Sequence, residues 1–151
     1  MIEHCKEVAS LAVEIAEKAK AAGRDVDLEL VETGALLHDS GRCRTHGIAH
    51  AVEGFRLAMG KGIEPAVAEI IKRHIGAGIS KEEAKELGLP EDDYFPRSLE
   101  EKIVAHADNL VKGTNRITIQ ERLEFMHKKN ISGDIVQRVK KLAEDVEELS
   151  R

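Results

Sequence analysis

Six side chains of this sequence share one chemistry. His4, His38, Asp39, His50, His74 and Asp108 each offer an imidazole nitrogen or a carboxylate oxygen. Those donors suit zinc, iron, manganese, nickel or cobalt. The apolar periodicity around them places His4, the pair His38–Asp39, His74 and Asp108 on the inward stripes of four different helices, and His50 on a fifth. A buried polar group without a partner costs roughly 1–3 kcal/mol, and a buried charge costs more. Five helices that each turn a His or Asp inward therefore make a poor core, unless a divalent cation takes up the lone pairs. A carboxylate has two oxygens, so Asp39 could bridge two ions. Three or four protein ligands per ion leave positions open for water and substrate, the mark of a catalytic rather than a structural site.

These donors must be held by a scaffold, and the punctuation of the chain outlines it. A first helix is predicted over about Ile2–Ala22, with Val8, Leu11, Ala12, Ile15 and Ala19 as its stripe and His4 one turn before Val8. Asp27 caps a second helix that carries Leu30, Gly34, Leu37 and His38 inward. Ser40 to Gly47 reads as a loop. A third helix begins near Ile48, with Ile48, Val52, Phe55 and Met59 on its main stripe, and fades at Gly60. Pro65 opens a fourth, whose stripe is Val67, Ile70, Ile71, His74 and Ile75. Ser80 with Glu83, Ser98 with Glu101 and Thr118 with Glu121 have capping-box spacing and open three more helices. Ser132 or Asp134 opens the last, with Ile135, Val139, Leu142 and Val146 in line. No useful stretch alternates apolar and polar residues with a period of two, so the fold is read as all-α, one domain over residues 1–151 with six to eight helices.

Composition narrows the function classes. The chain has 151 residues, 42% hydrophobic and 34% charged, which suits a folded helical domain. A net charge of −5 argues against long nucleic acid as a partner. No apolar run is long enough to span a membrane, and the first residues lack the apolar core of a secretion signal, so a cytoplasmic location is expected. Two cysteines, Cys5 and Cys43, are too few for a disulfide framework. The stripe of the last helix suits either its own core or a second copy of the chain.

Three strings carry a family resemblance. Ala35–Arg42 reads ALLHDSGR, Ala49–Leu57 reads AHAVEGFRL and Ile103–Leu110 reads IVAHADNL. With His4 before them and His74 between the last two, their order resembles the signature of the HD-domain metal-dependent phosphohydrolases. The resemblance covers about Glu3–Arg116. It implies a compact helical HD bundle, with His4, His38, Asp39 and Asp108 around a first ion and Asp39 as the bridging, catalytic carboxylate. It further implies that His50 and His74 hold a second ion. His50 is preferred over His46, four residues earlier, because Gly54 follows it at the family spacing. The sequence departs from many two-metal members by reading Ser40 for isoleucine, Arg42 for lysine, and Ile75 after His74.

The resemblance also implies hydrolysis of a phosphate ester, with one or two divalent ions as cofactor and a small phosphorylated compound, such as a nucleotide, as substrate. A metal site of this kind can lower the pKa of water to about 7 and polarise a phosphoryl oxygen. Arg42, Arg44, Lys112 and Arg116 are the candidate phosphate-holding residues. Lys112 is expected one helical turn after Asp108, and Arg116 one turn further. The complete donor set favours turnover over a catalytically weak nucleotide-binding or signalling module. His106, aligned with Lys102 and Asn109, and His127 are read as surface residues. Tyr94–Phe95 offers either a plug for a core edge or a ring for a nucleobase.

Overall fold

Small residues set the packing of the first helix. Val8, Ala9, Ala12, Ala16 and Ala19 are all buried, so the helices facing them can approach closely. A computed structural model describes Met1–Arg151. Its elements are α1 (Ile2–Ala21), α2 (Leu28–Leu37), a 3₁₀ turn (Ser40–Cys43), α3 (His50–Gly60), α4 (Pro65–Lys72), α5 (Lys81–Glu86), α6 (Leu99–Asn109), β1 (Val111–Lys112), β2 (Asn115–Arg116), α7 (Ile119–Lys128) and α8 (Gly133–Glu148). Eight α-helices bear out the all-α expectation. The one sheet is a two-stranded antiparallel ribbon in which Val111 pairs with Arg116 and Lys112 with Asn115.

A core cluster of eighteen buried residues joins α1, α2, α4, α6, β1 and α8. Val139, Leu142 and Val146 of α8 belong to it, so the stripe of the last helix faces the chain's own core. Helix starts follow the expected caps. Asp27 accepts from the Leu30 amide at 3.0 Å, and Ser80 with Glu83 and Thr118 with Glu121 close reciprocal capping boxes. Ser98 accepts from Glu101 N, but the Glu101 carboxylate turns to the Arg97 amide instead, leaving half a box.

Four expectations are corrected. The third helix starts at His50, because the chain turns through Gly47 and leaves Ile48 36% exposed. Met59, placed on its stripe, is exposed. The Asp108 helix stops at Asn109, so Lys112 and Arg116 lie on the two arms of the ribbon rather than on successive helical turns. His106 is buried, 4% exposed, inside α6 rather than on a polar surface. No helix is long and apolar enough to cross a membrane.

Candidate metal centre

Three of the histidines sit where helices begin or end, and each closes a local contact that orients it. The His38 Nδ1–H donates to Ala35 O at 2.6 Å, just past the end of α2. The His74 Nδ1–H donates to Ile71 O at 2.7 Å, two residues past α4. The His50 Nδ1–H donates to Gly47 O at 2.9 Å, at the first residue of α3. His74 thereby satisfies a carbonyl that a helix end leaves without a backbone partner, and His38 adds a second donor to Ala35 O, which also accepts from the His38 amide at 3.4 Å. His4 comes from the first turn of α1, and its Nδ1–H donates to Gly113 O at 2.6 Å. Gly113 can present that carbonyl because its φ of +64°, readily reached only by glycine, turns the ribbon there. A carbonyl only accepts, so all four protons are assigned to Nδ1, and each neutral ring points a bare Nε2 lone pair away from its partner. Such backbone anchoring of the far nitrogen is typical of imidazoles that bind metal.

The four Nε2 atoms converge on two carboxylates. His4 Nε2 is 3.0 Å from Asp108 Oδ1 and 3.7 Å from Asp39 Oδ2. His38 Nε2 lies 3.3 Å from Asp108 Oδ1 and 3.5 Å from Asp39 Oδ2. The other oxygen of Asp39 faces a second group, with His50 Nε2 at 3.3 Å and His74 Nε2 at 3.5 Å. His50 Nε2 and His74 Nε2 are 3.0 Å apart. Asp39 thus divides its two oxygens between two sets of donors, the placement a bridging carboxylate needs.

This donor set fits divalent cations. Two nitrogen or oxygen ligands about 2.0–2.2 Å from a shared ion stand roughly 2.8–3.6 Å from each other at tetrahedral or octahedral angles. The separations here span nearly that range. His38 Nε2 is buried and has no hydrogen-bond partner, an orphan that a cation would satisfy. The facing Nε2 atoms of His50 and His74 likewise carry two lone pairs toward each other, which a cation between them would relieve. Burial lowers the His74 imidazole below its ordinary pKa, so a second proton is disfavoured there. Burial would push Asp39 and Asp108 up. When no cation is bound and protons occupy the cage instead, the imidazoles of His50 and His74 beside Asp39, and the His38 charge beside Asp108, hold both carboxyls far below the usual carboxylate range. Burial also opposes charge on His38, but the Asp108 carboxylate outweighs it and raises this imidazole well above its ordinary value. Without a cation, a proton would take its place there.

Two glycines lock Asp39 against His50. A Cβ at Gly41 would stand 1.8 Å from His50 O and 2.6 Å from Gly54 N, and one at Gly54 would stand 2.6 Å from Ile71 Cγ2. The 3₁₀ turn after Asp39 therefore lies directly on the first turns of α3, which is the physical reason for a glycine two residues after Asp39 and another four after His50.

The candidate phosphate-holding residues separate. Arg42 stays at the site, with Nε 3.2 Å from Asp39 Oδ1 and Nη1 donating to His46 O. Arg44 points to Glu53 at 3.7 Å and is half exposed. Arg116 is drawn onto α1, where Glu7, Glu14 and Ser10 take its guanidinium, so the structure turns it to carboxylates rather than toward the six donors. Lys112 lies 3.6 Å over the Phe125 ring. Beside Asp39 and Ser40 a cavity of about 160 Å³ is lined by Met1, Ile2, Cys5, Lys6 and Leu36. Sequence reasoning missed Lys6, although Ile2, Cys5 and Lys6 share one edge of α1 at helical spacing. His46 and His127 are exposed, and Tyr94 is a buried plug whose hydroxyl donates to Pro90 O at 2.8 Å.

The family model described as HD domain matches residues 1–113, and the chain belongs to the HD-domain family. It is 53% identical over 129 residues to an uncharacterized protein of Methanocaldococcus jannaschii, covering 85% of this chain and 76% of that one. It is also 47% identical over 142 residues to a tRNA (cytidine(56)-2'-O)-methyltransferase of Thermoplasma volcanium, covering 94% of this chain and 40% of that protein. The namesake from Picrophilus torridus is 42% identical over 146 residues, at 97% and 41% coverage. The chain thus spans about two fifths of the length of those two relatives. Among solved structures, the HD domain of the L. monocytogenes phosphodiesterase PgpH matches with a TM-score of 0.54 at 18% identity, covering 93% of this chain and 88% of that one. The same domain in complex with cyclic-di-AMP matches with a TM-score of 0.57 at 15% identity, at 93% and 86% coverage. At those identities the likeness shows the shared fold.

Proposed function

We propose that this chain is a metal-dependent phosphohydrolase that cleaves a phosphate ester of a nucleotide or another small phosphorylated compound. The observation that supports it best is Asp39, with one oxygen toward His4 and His38 and the other toward His50 and His74. His4, His38, Asp39 and Asp108 would hold one divalent ion, and Asp39, His50 and His74 a second. Ions in that cage would polarise a phosphoryl oxygen and supply hydroxide near neutral pH. The residues of the chain do the rest. The Nδ1 anchors keep the imidazoles aimed, and Gly41 packed on α3 keeps Asp39 in register with His50. Arg42 braces the Asp39 carboxylate while about a third of its side chain stays open to a phosphate oxygen. Lys6 adds positive charge at the opening beside Asp39.

The likeness to an HD domain that binds cyclic-di-AMP supports a nucleotide as the phosphorylated partner. The likeness to parts of two tRNA methyltransferases adds a terminal phosphate of RNA to the compounds worth testing. Methyl transfer itself is foreign to a cage of imidazoles and carboxylates, and belongs to the other three fifths of those relatives in this reading. The test is phosphate release by protein loaded separately with manganese, iron, zinc, nickel or cobalt. Its panel holds nucleoside monophosphates, cyclic nucleotides, cyclic dinucleotides, dinucleoside polyphosphates and 5′-phosphorylated RNA. Metal-dependent turnover of at least one, abolished by Asp39→Asn, is expected. Full metal occupancy with no turnover of any of them would overturn the assignment.

A further inference from the structure

A cavity of about 460 Å³ is walled in part by residues that adjoin the donors along the chain, although none of the six donors lines it. Ile75 follows His74 in its wall, and Asn109 follows Asp108. Lys112 precedes Gly113, whose carbonyl anchors His4, and Ile48 follows Gly47, whose carbonyl anchors His50. Four segments that position the donors therefore also build one side of this cavity. The other side comes from chain beyond residue 113, outside the family match: Phe125 and Met126 of α7, Ile131, and Ile135 of α8. At the rim Ile48, Leu87 and Ile131 are 36%, 50% and 37% exposed, apolar surface left without a partner.

Glu83, Glu86, Asn109, Lys112, Arg122 and Lys129 are the polar side chains of this wall, and three of them are committed elsewhere. Arg122 is held by the carbonyls of Asn109 and Val111, and Glu83 by Arg138 and its own helix cap. Lys112 is different. Its ammonium lies 3.6 Å over the Phe125 ring, so an aromatic surface and a positive charge are assembled together next to the cage. The volume falls within the range of small-molecule sites, which pair apolar walls with a few placed polar groups.

We infer that this cavity receives the nucleobase of a nucleotide phosphoester whose phosphate lies at the donor cage, and that α7 and α8 thereby select the substrate. The inference rests on the phosphoester reading above and deepens it. A flat ring matches the Phe125, isoleucine and methionine walls, and its polar edges can meet the charged side chains, Glu86 and Lys129 among them, that also line the cavity. The nearby lysine suits the anionic side of such a ligand. Selection would then lie in the part of the chain that the family match does not reach.

Binding can be read without metal or turnover. Adenosine, guanosine, cytidine and uridine, none of which carries phosphate, are titrated separately into chelator-treated full-length protein labelled at isoleucine and methionine methyls. For at least one nucleoside, the Ile75, Met126 and Ile131 signals should shift saturably in NMR spectra. Phe125→Ala should weaken that binding by about fivefold or more, the loss expected for one ring–base stack. Ile131→Glu, at a position already 37% exposed, should do the same while keeping the circular dichroism spectrum, which guards against a folding defect in the first variant. With a nucleotide that the enzyme turns over, Ile131→Glu should raise KM and leave kcat within about twofold, as for a contact equal in ground and transition states. If no nucleoside moves those methyls, or if ribose 5-phosphate is turned over with the same KM as a nucleotide, the inference is overturned even where phosphate release persists. Nucleoside binding without any phosphate release would instead refute the hydrolase reading and leave the pocket standing.

Discussion

Replacing Gly41 with alanine should damage the second half of the donor cage more than the fold. The new methyl would lie 1.8 Å from His50 O, 2.6 Å from Gly54 N and 2.8 Å from His50 C, all backbone atoms that cannot swing aside. Ordinary contact requires the 3₁₀ turn to retreat by roughly 1.5 Å from α3. Overpacking of this kind costs about 1–3 kcal/mol, and a backbone obstacle puts it near the upper figure. For a chain of this size each kcal/mol lowers Tm by about 2–4 °C, so a fall of about 6–12 °C is expected. The local effect is sharper. Asp39 lies two residues before Gly41, and its Oδ1 is 3.3 Å from His50 Nε2. A retreat of even 1 Å would pull Asp39 Oδ1 away from His50, whereas an ion on the other side would still have His4, His38 and Asp108 as ligands. Bound metal should drop from two ions per chain to one. Gly60→Ala is the control, since a Cβ there meets nothing within 4 Å. Differential scanning fluorimetry and elemental analysis read both variants. If Gly41→Ala melts within 2 °C of Gly60→Ala and binds as much metal, the argument that glycine contact holds Asp39 against His50 is wrong.

Other expectations follow from the same contacts. Stripping divalent ions should lower Tm by about 5–11 °C relative to protein at a hundredfold excess over the dissociation constant, the equivalent of about 2.7 kcal/mol; an unchanged melting curve would count against the cage. Burial pushes the His106 imidazole down to about 4 from 6.5. The native state then refuses a proton that the unfolded chain accepts, so this stability is intact above pH 6.5 and drains away as pH falls toward 4. The loss reaches up to about 3 kcal/mol. In metal-free protein, His106→Leu should flatten the urea midpoint between pH 7 and 4.5, and an equally steep fall in that variant would refute the cause. Arg116→Gln should cost under about 1 kcal/mol, as exposed ion pairs do, and leave KM for any phosphoester unchanged; a KM rise would return Arg116 to the substrate.

Much of this centre was legible in the sequence because its parts are local. Cap residues at Asp27, Ser80 and Thr118 act on amides three positions away, and all three cap as the spacing indicates. A His or Asp on an apolar stripe is conspicuous in the sequence, and the structure brings the six such candidates together. What failed depends on distant contacts. His106 lies on a face that looks polar in the helix, yet that face meets the rest of the molecule and is buried. Lys112 and Arg116 were carried along a helix that ends at Asn109, although Gly113 between them is the turn signal that could have revealed the ribbon. Arg116 then finds Glu7 and Glu14, more than one hundred residues earlier, which no local pattern announces. The Nδ1 anchors of His38, His50 and His74 are i to i−3 contacts, readable only once the helix ends are known.

The most direct measurement is anomalous diffraction, with elemental analysis, on crystals of protein reconstituted without oxygen with iron or manganese. Two peaks about 3.5–4 Å apart are expected, one against each oxygen of Asp39, the first shared with His4, His38 and Asp108 and the second with His50 and His74. Crystals saturated with these ions that show no peak between the imidazoles and Asp39 would contradict the account at its root.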